Sequence, residues 1–427
     1  MSPRTRAFLV VLTIACTLPI APVAAEGAIS GCQDGLQASG AVYRICMPEA
    51  ESWNGDLVIY AHGYVAFNEP VAIPENQLVL PDGTSIPEIM NRLGFAFATT
   101  SYSTNGLAIR EGIEDVADLA EIFRSKHGAP RHVYLGGASE GGLVTALAIE
   151  RFPDTFDGGL ATCGPVGGLR RQVNYLGDFR VLFDYFFPGM IPGSIVDIPQ
   201  EVVDNWDSVY EPAITAALAA DELALDQLLR VTLVPTDRRD PASATDTALK
   251  VLWYNAFGAS DAAAKLGGQP FDNRHRIYVG SARDVQLNHQ VQRYEADPAV
   301  LAEINAHHQT SGRLASPLVT MHTTGDPVVP YWHEVLYRAQ ARANNSARLH
   351  SNIPILRYGH CNFKISEMLA GFALLVLKVT GRELVGAEDA LPDSASREVF
   401  RELARDVGAL RWQLSLPLIA SPTGTSR

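Results

Sequence analysis

The sequence predicts an α/β fold built on a mostly parallel sheet, and two features carry that prediction. Short apolar runs alternate with helix-period patterns over residues 57–168, and the alternation resumes after residue 315. A glycine-framed serine, Gly137-Ala138-Ser139-Glu140-Gly141, falls where one such run gives way to a helical pattern. The chain has 427 residues, 47% hydrophobic and 19% charged, which excludes a disordered or collagen-like protein and leaves ample length for a large core. Its net charge of -13 repels polyanions at long range, so nucleic acid and anionic membranes are not expected partners.

Each element has a local reason. Residues 57–61 are a continuous apolar run ending in His62-Gly63, and residues 95–98 are a second, ending in Thr99-Thr100-Ser101. Ile113, Val116, Leu119, Ala120 and Phe123 recur at the period of an amphipathic helix. Residues 132–135 form a third strand, residues 143–152 a helix stopped by Pro153, and residues 159–162 a fourth strand. Apolar runs of this kind are expected where a parallel sheet is covered on both faces. Over 168–315 the rhythm lapses into aromatic-rich sequence with helical runs such as 211–230, where Pro212 suits a first turn. Strands at 317–321 and 353–358, a helix at 332–343 and closing helices at 366–379 and 396–410 complete the pattern.

The first residues read as an address. Arg4 and Arg6 precede an apolar stretch, 7–20, that is short for a bilayer, and Val23-Ala24-Ala25 offers small residues for cleavage. The predicted organisation is a signal peptide at 1–25, a first core part at 26–167, a helical insertion at 168–315 and a second core part at 316–427. A signal peptide implies a secreted chain, extracellular or periplasmic, and no later stretch is long enough for stable membrane insertion; the best, 368–379, is interrupted by Lys378. Export gives the cysteines a structural meaning. Cys16 falls in the leader, leaving Cys32, Cys46, Cys163 and Cys361, an even number that implies two disulfides. Cys32 and Cys46 flank a turn in a hairpin-like stretch; pairing them leaves Cys163 with Cys361, one of three possible connectivities. With no CxxC or HxxxH spacing, no metal site is predicted.

The glycines around Ser139 permit a turn sharp enough to hold its Oγ above the sheet, at the start of the next helix. A serine hydroxyl is a poor nucleophile until a base takes its proton, and the base needs an orienting acid. In strand–turn–helix sites of this type the acid and then the histidine follow the serine in the chain. Asp326 follows the strand at 317–321, with a turn-forming role as its plain alternative, and His360 follows the strand at 353–358. His322 and His333 lie too near Asp326 in sequence to be its partner. The oxyanion needs two donors: the backbone N–H of Glu140, and that of Tyr64 in the loop His62-Gly63-Tyr64. The Glu140 side chain reads as a complement to the helix dipole.

These features together resemble the α/β-hydrolase superfamily, specifically its secreted serine esterases with a helical cap, over roughly residues 57–381. The resemblance implies the α/β-hydrolase fold, with a mostly parallel central sheet flanked by helices and a mainly helical cap inserted after the strand that follows the nucleophile. It assigns nucleophile, acid and base to Ser139, Asp326 and His360, and the oxyanion hole to Tyr64 and Glu140. It also implies an acyl-enzyme route on small-molecule or polymeric esters with no metal or organic cofactor. His360-Cys361 is similar to the His-Cys step of the tannase and feruloyl esterase family, in which a disulfide ties the histidine segment to a Cys immediately before the serine; here that position is Ala138. A serine exopeptidase of the same architecture is the alternative, holding a free amine with carboxylates such as Asp178, Asp184, Glu201 or Asp204. Acyltransferase or thioesterase chemistry, and a silent binding module, are the remaining readings.

Overall fold

Two short strands, Cys32–Leu36 (β1) and Val42–Cys46 (β2), open the sheet as an antiparallel pair with Cys32 directly opposite Cys46, and these two cysteines form a disulfide. The computed structural model describes residues 31–80 and 83–415, so the signal peptide expected at 1–25 lies outside the described residues. β2 pairs antiparallel with Ala96–Thr100 (β4). The remaining pairings are parallel, through Leu57–Ala61 (β3), Val133–Ala138 (β5), Gly158–Thr162 (β6), Leu318–Gly325 (β7) and His350–Tyr358 (β8). The sheet order is β1-β2-β4-β3-β5-β6-β7-β8. Every residue of β3, β4 and β6 is buried, which is why none of them alternates apolar with polar.

Helices cover both faces. Ile86–Arg92 (α1), Ile109–His127 (α2) and Glu140–Arg151 (α3) belong to the first half of the sheet. Between β6 and β7 run Leu169–Phe186 (α4), Gln200–Asp204 (α5), Glu211–Ala220 (α6), Glu222–Thr232 (α7), Ser243–Leu266 (α8), Asp284–Gln290 (α9) and Pro298–Glu303 (α10). Trp332–Ala343 (α11), Ile365–Thr380 (α12) and Ser394–Ser415 (α13) complete the chain. One core cluster joins α2 and α3 to the sheet, a second joins α1 and α12 to its other face, and a third lies among α4, α6, α7 and α8. The sequence expectation of one helical run over 211–230 is corrected: the run breaks at Asp221, whose carboxylate caps α7 by accepting the Ala224 N–H at 2.9 Å.

An antiparallel start, a parallel remainder, the serine turn directly after β5 and helices on both faces make this an α/β-hydrolase fold. No helix among the described residues is long and apolar enough to cross a membrane.

Candidate active site

The turn between β5 and α3 sets the geometry. Ser139 has φ +56° and ψ -120°, a conformation a non-glycine residue rarely holds, and its N–H donates to Thr162 O at 2.9 Å. The flanking glycines are there because nothing larger fits. A Cβ on Gly141 would stand 2.0 Å from Ala61 O, and one on Gly137 would stand 2.2 Å from Gly141 O. The serine is therefore lifted out of the sheet by backbone packed against backbone.

His360, two residues past β8, brings its Nε2 to 2.9 Å from Ser139 Oγ and its Nδ1 to 2.7 Å from Asp326 Oδ2. A carboxylate only accepts, so Nδ1 carries the proton and Nε2 offers its lone pair to the serine hydroxyl. The structure thus brings Ser139, His360 and Asp326 into one hydrogen-bonded chain. Asp326 also makes the turn its sequence context suggested, because its Oδ1 accepts from Val328 N and Val329 N, each at 2.9 Å. Turn former and histidine partner are the same residue, one oxygen for each.

A second histidine, which sequence reasoning set aside, stands behind Asp326. His322 Nε2 donates to Val329 O at 2.7 Å and lies 3.5 Å from Asp326 Oδ2, while its Nδ1 meets Glu334 Oε1 at 3.1 Å. Burial opposes a charge on His322, but the bonds to Asp326 and Glu334 outweigh it and carry the imidazolium up to about 10. Burial likewise works against an ionised Asp326, yet His360 and His322 together hold it at about 2. His322 stands within β7, four residues before Asp326, which follows the end of that strand. His333 is different: it accepts from Gly167 N and meets Gln172 Oε1, a neutral core histidine with its pKa lowered by burial.

The 62–64 loop lies directly against the serine, since a Cβ on Gly63 would stand 3.3 Å from Ser139 Cβ. Gln77 holds this loop: its Oε1 accepts from Gly63 N at 2.6 Å and its Nε2 donates to Tyr64 O at 3.2 Å. Tyr102 stacks on His62 and donates to His62 O. Among the described residues the N–H groups of Tyr64 and Glu140 have no hydrogen-bond partner. Nothing in the sequence pointed to Gln77, which ends a short 3-10 turn, Glu75–Gln77, 13 residues downstream of Tyr64.

Ser139 stands between two cavities. One, under α4 and α8, is walled by apolar and small residues including Leu169, Val173, Ala259 and Ala262; the other holds His360, Cys361, Phe363 and Gln77. Tyr64, Ser139 and Tyr254 border both. The Glu140 side chain does more than complement a helix dipole. It turns into the apolar cavity, accepts Ala108 N at 3.0 Å, and burial raises its pKa to about 8 despite that bond and nearby Lys265. The acids considered for amine recognition are elsewhere. Asp178 pairs with Arg276 and Tyr278, Asp184 with Arg180 and Asp204 with Gln200; neither they nor Glu201 line the apolar cavity.

Cys361 is disulfide-bonded to Cys163, immediately after β6, and its Sγ lies 3.5 Å from His360 Nε2. The bond therefore ties the histidine loop to the strand after the serine, and not to position 138. Cys163, His360 and Cys361 gather three potential metal-ligand atoms, but both sulfurs are spent in the disulfide, and it is thiolate that binds metal.

No family model matches the chain, and no curated protein matches it. Among solved structures it is similar to Candida antarctica lipase A in its closed state (12% identity, TM-score 0.47), covering 89% of this chain and 85% of that one. It is also similar to Est1E from Butyrivibrio proteoclasticus (12% identity, TM-score 0.38), covering 88% and 100% of the two chains. A Pyrococcus horikoshii acylaminoacyl peptidase (11% identity, TM-score 0.38) is matched over 78% of this chain but only 38% of its own. The chain thus spans about two fifths of that peptidase. The fold assignment rests on the strand order and the serine turn, not on these likenesses.

Proposed function

We propose that the chain is a secreted serine hydrolase of carboxylic esters, with residues 168–315 as its cap. The observation that carries this reading is the unbroken hydrogen-bond chain Ser139 Oγ–His360 Nε2, His360 Nδ1–Asp326, at 2.9 and 2.7 Å. Ser139 attacks the ester carbonyl as His360 takes its proton; Asp326, held ionised, keeps Nδ1 protonated and stabilises the imidazolium that forms. The amides of Glu140 and Tyr64 receive the oxyanion, each contributing roughly 3 kcal/mol to the transition state. His360 then gives its proton to the leaving alcohol, and water resolves the acyl-enzyme by the same steps reversed.

The two cavities divide the ester. The leaving oxygen must lie within reach of His360, which borders the cavity with Cys361 and not the one under α4 and α8. The alcohol belongs on the His360 side, and the acyl group under the helices. An apolar wall there favours an acyl chain over a charged amine; of the exopeptidase reading's carboxylates, Asp178 and Asp184 are held in internal ion pairs, and none of the four lines this cavity. Two disulfides fit an oxidising compartment, in keeping with the expected signal peptide.

The test is hydrolysis of p-nitrophenyl esters and amino-acid p-nitroanilides by the purified chain beside Ser139→Ala. Ester turnover that falls by about 10³-fold or more in the variant supports the reading. Cleavage confined to anilides with a free amine, or ester turnover indifferent to Ser139→Ala, sinks it.

A further inference from the structure

The walls of the cavity under α4 and α8 are apolar, and most of the polar side chains on them are answered within the protein. Gln172 donates to Val328 O and meets His333, Gln269 donates to Phe271 O, and Glu140 accepts from Ala108 N. Asn255 is the fullest exception. It is 1% exposed, it borders this cavity from the middle of α8, and neither its Oδ1 nor its Nδ2 has a hydrogen-bond partner among the described residues. Tyr64, on the same cavity, buries a hydroxyl that is likewise unpartnered among the described residues.

A buried carboxamide with both its donor and its acceptor unanswered is costly to keep, and a leucine of similar size would suit these walls better. Its neighbours on α8, Gly258, Ala259 and Ala262, leave open the space its side chain faces. We propose that Asn255 recognises a hydrogen-bonding group on the substrate's acyl part, so that the site takes acyl groups that are apolar for most of their length and carry a hydroxyl or an amide part-way along. The carboxamide offers a donor and an acceptor side by side, which a hydroxyl or an amide answers and a methylene does not. Tyr64 Oη, on the same cavity, supplies a second contact. This inference rests on the acyl group entering the α4–α8 cavity, as argued above. It makes Asn255 a specificity-determining residue, one with no part in bond making.

The experiment compares wild type, Asn255→Leu and Ser139→Ala on matched p-nitrophenyl esters. The panel is octanoate, hydroxyoctanoates with the hydroxyl moved along successive carbons, and N-acylglycine esters of the same overall length. The expected result is a wild-type preference of about tenfold or more in kcat/KM for one hydroxylated or amide-bearing ester over octanoate. Asn255→Leu abolishes that preference, keeps or raises turnover of octanoate, and melts at a higher temperature. Which arm wins, hydroxyl or amide, identifies the source of the polar group. A wild type that prefers plain octanoate, or a preference unchanged in Asn255→Leu, overturns the proposal; an answer by solvent alone gives this second outcome. Methyl ketones with the same chains separate the two readings. If no ester is turned over, the hydrolase reading has failed, and calorimetric binding of the ketones still decides the pocket: selective binding lost in Asn255→Leu supports it, and equal binding overturns it.

Discussion

Glu140 shows how one side chain couples the site to pH. Its carboxyl ordinarily titrates at 4.5 and burial raises it to about 8, against a bond from Ala108 N and the charge of Lys265; Asp261 and Glu111 push it in the same direction as burial. Between these two values the folded chain keeps a proton that the unfolded chain has released. The neutral carboxyl's contribution to stability is therefore complete below pH 4.5 and is lost progressively as the pH rises towards about 8. Denaturant midpoints measured across that window should decline with pH in wild type and decline less in Glu140→Gln. Activity has the same origin and a different limb. Ionisation above about 8 sets a negative charge in the apolar cavity next to the serine, where the oxyanion develops, so kcat/KM for a neutral ester falls with one proton lost. Glu140→Gln keeps the backbone donor and should hold its activity through that range; a variant with an unchanged alkaline limb places the titration on another group.

At the scale of elements, the turn between β5 and α3 is a backbone device before it is a chemical one. Gly141→Ala forces a methyl to 2.0 Å from Ala61 O, which no rotamer relieves, whereas a Cβ on Gly136, one strand position before Gly137, meets nothing within 4 Å. Denaturant unfolding should show Gly141→Ala destabilised by about 3 kcal/mol or more and Gly136→Ala nearly neutral. Equal costs would mean that the turn relaxes. The sequence announced this element because its steric demand is local, written into Gly137 and Gly141. Strands β3 and β6 and helices α3, α11 and α12 were legible for a related reason, since apolar runs and helical periodicity report burial directly. Helix α1 went unread although Ser85 caps it and Pro87 starts it, because seven residues carry too little periodicity. Helix α7 was merged with α6 because Asp221 changes the chain's direction without a glycine or proline to mark it. What the sequence could not supply were partners distant along the chain. Gln77 under the 62–64 loop, His322 behind Asp326 and Asn255 in the cavity acquire meaning only from what the fold puts beside them.

For the whole molecule, the question is how the helical insertion is held over the serine. Helix α8 is fastened to the core near both ends: Tyr358 Oη meets Thr247 Oγ1 at 2.7 Å and Asp246 Oδ2 at 3.1 Å, and Asp261 accepts from Leu107 N. Between these anchors the Tyr254 ring stands edge-on to His360. The Cys163–Cys361 bond encloses the entire insertion, with 198 residues of sequence separation against 14 for Cys32–Cys46. Closing the longer loop removes more freedom from the unfolded chain, so the double variant Cys163→Ala with Cys361→Ala should lose about 2–5 kcal/mol in denaturant unfolding, the larger loss of the two pairs. Kinetics should separate them more sharply. Cys361 adjoins His360, so losing this pair loosens the base and lowers kcat more than it raises KM, while Cys32→Ala with Cys46→Ala, at the far edge of the sheet, leaves kcat alone. If both double variants kept full kcat, α8 and the Asp326 turn would suffice to hold His360, and the long-range disulfide would be a clamp on the insertion with no bearing on the base.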